Sequence, residues 1–219
     1  MKRFSNFLEE KMIPLSNRVA GIPCLIVMRN AMMSLVALLV VGSMCAMFAN
    51  FPVGVVRNVL TPLAPWLTAM NKATTGCMGL IAAIMVGYYG AVQYDVDIVP
   101  AMSISTASFL ASQLTADGLN TGGFDSNGLI SALVIGFLTV KLLRLLKDRD
   151  IGIRMPAGVP EAVAQSLNAL IPITVMVAVF SFISIVLGFE INTFMINLLQ
   201  PFANIFNTLP GYVIYHIAC

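Results

Sequence analysis

The stretch Gly152-Ile-Arg-Met-Pro-Ala-Gly-Val-Pro-Glu-Ala-Val-Ala-Gln-Ser-Leu-Asn-Ala-Leu-Ile-Pro172 decides how the rest of the chain is read. Pro160 suits the first turn of a helix, where its missing N–H costs nothing, and Glu161 beside it favours the positive helix end. Val159, Val163, Leu167, Leu170 and Ile171 then form one apolar stripe, while Glu161, Gln165 and Asn168 fall on the opposite side. This pattern predicts a short amphipathic helix over residues 159–171, lying at a membrane surface. Pro172 follows as a bend, and an uncharged apolar run begins there.

The composition agrees with a membrane setting. The 219 residues are 58% hydrophobic and only 10% charged, with a mean hydropathy of +0.90, whereas a soluble domain carries about 25% charged residues. The expected fold class is an all-α polytopic membrane protein with five transmembrane helices, a truncated sixth and interfacial amphipathic helices.

Working outward, residues 1–29 read as a basic, partly amphipathic cytoplasmic lead rather than a signal peptide, because Glu9 and Glu10 interrupt the charged region. Residues 30–190 hold the membrane domain. Its five expected spans run over 31–49, 73–94, 98–116, 126–146 and 173–189. Phe51 to Asn71, with Pro52, Pro62 and Pro65, reads as a loop containing at most a short interfacial helix, and Trp66 suits the headgroup level. Residues 191–207 form a second amphipathic segment, carrying Thr193, Asn197, Gln200 and Asn204 on one side and Phe194, Leu198 and Phe202 on the other. Pro201 is expected to break it in two. Residues 208–219 open a sixth span, too short to finish within the sequence.

Two features inside the spans carry a choice. Gly79, Ala83 and Gly87 stand four apart, a small-residue face suited either to packing within one subunit or to joining two. Ser103, Ser105, Thr106, Ser108, Ser112 and Thr115 make the third span rich in hydroxyls, which can bond back to carbonyls, bond to neighbours or line a polar path.

Charge placement sets an orientation. With the N-terminus inside, the inner segments hold Lys2, Arg3, Lys11, Arg18, Arg29, Lys141, Arg144, Lys147, Arg149 and Arg154, and the outer segments only Arg57 and Lys72. Residues 159–171 then lie on the cytoplasmic face and 191–207 on the outer side.

Catalytic chemistry is not legible. The spans hold no Asp or Glu near their centres, where an ion-coupled carrier places an ionisable group. There is no phosphate-binding Gly-Lys-Ser loop, no paired carboxylates for glycoside hydrolysis, and no arginine-rich surface for nucleic acid. Cys24, Cys45, Cys77 and Cys219 show no paired spacing, and His216 has no carboxylate or cysteine near it in sequence. No cofactor, metal or catalytic residue is assigned, and the substrate-binding residues are left unknown.

Arg154, Met155, Pro156, Val159, Pro160, Val163, Ser166, Leu167, Ala169, Leu170, Ile171 and Pro172 together resemble a pattern of the phosphotransferase-system enzyme IIC permeases of the lactose/cellobiose group, which includes oligo-β-glucoside and diacetylchitobiose carriers. The Phe-Leu-Glu-Glu-Lys-Met-Ile-Pro-Leu opening from Phe7 is similar to how these permeases begin. The resemblance implies a bacterial plasma-membrane permease that carries a sugar inward, often a β-linked disaccharide such as cellobiose, lactose or chitobiose, for phosphorylation by a IIB partner. It covers about Phe7 to Gly211, which corresponds to the family's first half, the part that builds the homodimer. The family's Phe-Gly-Ile-His-Gly motif is absent, and His216 comes too early after Leu209-Pro210-Gly211 to take its histidine's role. The expected function is therefore a permease subunit bearing the dimerisation half, with sugar handled only when the second half is supplied. The alternative is a non-transporting membrane interaction module or a remnant of such a permease.

Overall fold

The computed structural model describes residues 21–51, 61–115, 118–149, 163 and 167–207. Among the described residues seven α-helices follow in order. They are α1 (Pro23–Ala49), α2 (Ala64–Thr74), α3 (Met78–Tyr94), α4 (Ile98–Ser112), α5 (Ser126–Asp148), α6 (Leu170–Ser181) and α7 (Ile191–Asn207). A two-residue hairpin of β1 (Leu114–Thr115) and β2 (Gly118–Leu119) links α4 to a 3₁₀ turn at Thr121–Gly123 and then to α5.

The centre of the bundle is α3, packed on α4 and α5, with α4 also against α5. Small residues allow this. A side chain on Gly87 would meet the α4 backbone, 2.7 Å from Met102 Cα and 2.8 Å from Ala101 O. Helix backbones that approach this closely gain dispersion contacts that larger residues would prevent. Around the centre, Leu35 from α1, Ile104 and Phe109 from α4, Ile135 from α5, and Met176 and Phe180 from α6 close one apolar cluster.

Helices occupy all five stretches expected to span. Among the described residues, three runs are long and apolar enough to cross a bilayer by themselves: Pro23–Ala49, Thr61–Tyr94 and Ser126–Asp148. The pair Leu170–Val186 and Ile191–Pro201 meets the same test only when taken together, and it is bent by 81°. Helix α4 is apolar but has 15 residues. Its expected end at residue 116 moves back to Ser112, because the hairpin takes over at Leu114 and Thr115.

Other boundaries shift for identifiable reasons. Helix α1 begins at Pro23, eight residues before the expected span, with proline in the favoured first position. Residues 23–29, assigned to the lead, are thus part of the helix, and residues 1–20 lie outside the described residues. The expected loop over 51–71 is helical from Thr61 onward. Pro62 and Pro65 sit in first turns, where they help, and Trp66 is exposed. A 3₁₀ turn at Thr75–Cys77 separates α2 from α3.

Most of the expected surface helix over 159–171 lies outside the described residues. Val163 and Leu167 are helical, Val163 exposed and Leu167 half-buried. Leu170 and Ile171 are exposed but belong to α6, not to the surface helix. The chain turns at Ala169 and not at Pro172, which fits inside the first turn of α6, where no N–H is missed. Helix α7 is continuous through Pro201 rather than broken there. The expected sixth span and His216 fall outside the described residues.

Candidate functional site

Gly79, Ala83 and Gly87 are brought together on one face of α3, and all three are buried within the chain. Gly79 faces the backbone carbonyls of Phe124 and Asp125, and its N–H donates to Phe124 O at 2.7 Å. The Ala83 carbonyl accepts from the Ser105 hydroxyl on α4 at 2.6 Å. Of the two uses this spacing allows, the fold takes packing within the subunit. The face is covered by other parts of this chain, the packing alternative of the two.

The hydroxyls of α4 are spent the same way. Ser103, Thr106 and Ser108 donate to carbonyls four residues back, and Ser112 to Phe109 O. Such back-bonding satisfies a hydroxyl inside an apolar bundle without opening a channel.

Two ends of the bundle are polar in different ways. At one end, Asp95 closes α3 in the left-handed conformation at φ 51°. Arg144 on α5 donates to Tyr94 O at 2.9 Å and to Asp148, and Lys147 donates to Asp95 O at 2.5 Å. These cations cap the carbonyl-rich end of α3 and tie the α3–α4 turn to α5. Lys141 lies 5.1 Å from the centre of the Phe137 ring.

The other end is built from amides and hydroxyls. Gln113, the residue after α4, is 3% exposed. It exchanges hydrogen bonds with Asn192 in the first turn of α7. Asn192 Nδ2 donates to Gln113 Oε1 at 2.6 Å, and Gln113 Nε2 donates to Asn192 Oδ1 at 3.3 Å. Gly123 leaves the room this pair needs, since a side chain there would collide with both amides. The Ser184 hydroxyl donates to Leu114 O at 2.5 Å, joining the π turn at Phe182–Val186 to β1. Gly188 then turns the chain at φ +60°, a conformation glycine takes without cost, and α7 departs.

Between these parts lies an open pocket of about 320 Å³, lined by residues that include Gln113, Asn120, Asn127, Glu190, Asn192 and Thr193. Its walls are shaped locally. Asn120 accepts from Gly122 N–H and Asp125 from Asn127 N–H, so each caps the turn that follows it. Glu190 accepts from the Thr193 hydroxyl at 2.7 Å. Gln113, Asn192 and Ser184 escaped sequence reasoning. A lone amide ending a hydroxyl-rich apolar run was the available signal for Gln113. Among the described residues no His, Cys, Asp and Glu group could hold a metal ion.

Residues 29–219 match the family model described as phosphotransferase system, EIIC. Over 192 residues the chain is 30% identical to the lichenan permease IIC component of Bacillus subtilis (strain 168), covering 78% of this chain and 42% of that protein. It is 27% identical to the cellobiose-specific EIIC component of the PTS system of Geobacillus stearothermophilus, over 78% of this chain and 43% of that one. Its fold is similar to the crystal structure of the transporter ChbC, the IIC component of the N,N'-diacetylchitobiose-specific phosphotransferase system. The TM-score is 0.84 at 26% identity, over 95% of this chain and 54% of that chain. The chain thus spans about half the length of the relatives it matches. With the family model matched over nearly all its residues and the helical bundle shared, the chain belongs to the phosphotransferase-system EIIC family.

Proposed function

We propose that this chain is the scaffold half of a sugar permease. Two copies would associate in a bacterial plasma membrane with the N-terminus in the cytoplasm. A second half would carry a β-linked disaccharide inward to a IIB partner for phosphorylation. The observation that carries this reading is the likeness to the ChbC fold, at a TM-score of 0.84 over 95% of this chain. The relatives' names support the sugar class, since they include cellobiose, lichenan and oligo-β-mannoside permeases. Lactose-specific relatives named as EIICB components support a IIB partner. Met33, Val40 and Met44 on α1 are half exposed or more, which supports an outer surface met by lipid or by a second copy. Within the described helices the only carboxylate is Asp148, at the last residue of α5, which argues against ion coupling inside this half.

The test is complementation. The chain is produced in cells lacking cellobiose uptake, alone or with the missing half of a cellobiose-type relative and its IIB protein, and entry of labelled cellobiose is followed. Uptake should require both halves. Uptake by the chain alone would end the scaffold reading. No uptake with both halves, while the chain is well inserted, would favour a non-transporting membrane module.

A further inference from the structure

We infer that the pocket between the hairpin and the start of α7 is a binding station for a neutral sugar ring. It is separate from whatever site the second half supplies, and its role as an entry station rests on the permease reading above. The case begins with the hydrogen-bonding capacity left in its walls. One Nδ2 hydrogen of Asn127 and one of Asn192 are committed to Asp125 and Gln113, leaving the other of each free among the described residues. Asn120 uses its Oδ1 on Gly122 N–H and keeps its whole amino group for the pocket. Acceptors remain on Glu190, whose Oε2 takes the Thr193 hydroxyl, and on the Asn127 carbonyl oxygen.

A sugar hydroxyl donates one hydrogen bond and accepts others, so it needs donors and acceptors side by side. The wall supplies that mixture. Among the described residues Glu190 is the one ionisable group lining the pocket and no cation joins it, which disfavours phosphates and carboxylates. Leu114, Ile191 and Ile196 give the C–H face of a ring apolar surface to lie on. The volume of about 320 Å³ is at the lower end of the roughly 300–1,000 Å³ of small-molecule pockets, which suits one ring rather than a long oligosaccharide.

The placement adds to the chemistry. The pocket sits at the end of the bundle opposite Arg144 and Lys147. With the cation-rich end inside, its mouth faces the side from which sugar arrives. The Gln113–Asn192 pair fixes the first turn of α7 as one wall, so the site is formed before ligand enters.

The experiment is ligand-observed NMR on the purified chain in lipid nanodiscs, with glucose, cellobiose and glucose 6-phosphate as probes. Glucose and the terminal ring of cellobiose should show saturable binding on the order of millimolar, and glucose 6-phosphate should bind more weakly. Glu190→Ala, at an exposed position outside the bundle core, should weaken glucose about tenfold. Thr193→Trp, which places a large ring in the pocket, should abolish the signal. Absence of binding by both neutral sugars, equal binding in either variant, or tighter binding of the phosphate ester would each overturn the inference. Because the readout is binding to this chain and not uptake, failure here leaves the permease reading standing, and failure of complementation leaves the pocket measurement valid.

Discussion

Helices α1 and α3 are both predominantly apolar, yet they face opposite surroundings. Along α3 the buried positions are Met78, Gly79, Ala82, Ala83, Val86, Gly87, Gly90 and Ala91, nearly all small. Along α1 the exposed positions include the large Met32, Met33, Val36, Val40, Val41, Met44, Met47 and Phe48, beside the small Ser34, Ala37 and Ser43. In water the large apolar residues would turn inward. In lipid there is no hydrophobic gain from pairing helices, so close backbone packing decides which side faces in. The contrast teaches that, between these two helices, how closely a neighbouring backbone can approach decides more than apolarity which face turns inward.

Four substitutions break or sharpen that contrast. Gly87→Leu should be the most damaging. Its side chain would meet backbone atoms of Met102 and Ala101, which cannot move aside as a flexible side chain can. The expected loss is at least about 3 kcal/mol, at the upper end for overpacking. Size-exclusion chromatography in detergent should show little monodisperse protein, while Met33→Leu on α1 should look like the parent. Val36→Arg comes next. Val36 is 48% exposed near the middle of α1. A water-facing position would accept arginine, whereas a lipid-facing one should lose about 2.5–3.5 kcal/mol of insertion, readable by glycosylation mapping. Normal insertion of that variant would overturn the lipid-facing assignment.

The smaller effects probe the hydroxyls inside the bundle. Ser105→Ala removes the bond from α4 to Ala83 O and should cost roughly 0.6 kcal/mol, seen as a modest fall in the thermal midpoint. Ser131 on α5 is fully buried, and its hydroxyl has no hydrogen-bond partner among the described residues. Ser131→Ala should therefore leave the midpoint unchanged or raise it by the equivalent of a few tenths of a kcal/mol. A clear fall in that variant would reveal a partner for the hydroxyl.

What could be read from the residues alone follows the same line. The apolar runs located every helix of the central bundle, because lipid demands about 20 apolar residues per crossing whatever the packing. The Gly79-Ala83-Gly87 spacing announced close contact but could not say with what, since a neighbour in the same chain and one in another look alike from one face. From sequence, Pro172 reads as a bend and Pro201 as a break. The first sits in a first turn and the second is carried by the surrounding helix, and both depend on where the helix starts. The amide pair was hidden because Gln113 and Asn192 are 79 positions apart and neither sits in a repeating pattern. Their meeting depends on Gly123 and on the 81° bend before α7, features of the assembled bundle.

The brevity of α4 has a consequence for the bilayer itself. Fifteen residues rise about 22 Å, against a hydrocarbon slab of roughly 30 Å. If α4 crosses the bilayer, the lipid beside it would pucker, or water would sink several ångströms beneath the level of the headgroups, to reach Gln113 and the hairpin beyond it. Either response would dig a dimple over this end of the protein. A solute crossing there would meet a barrier thinner than the membrane around it.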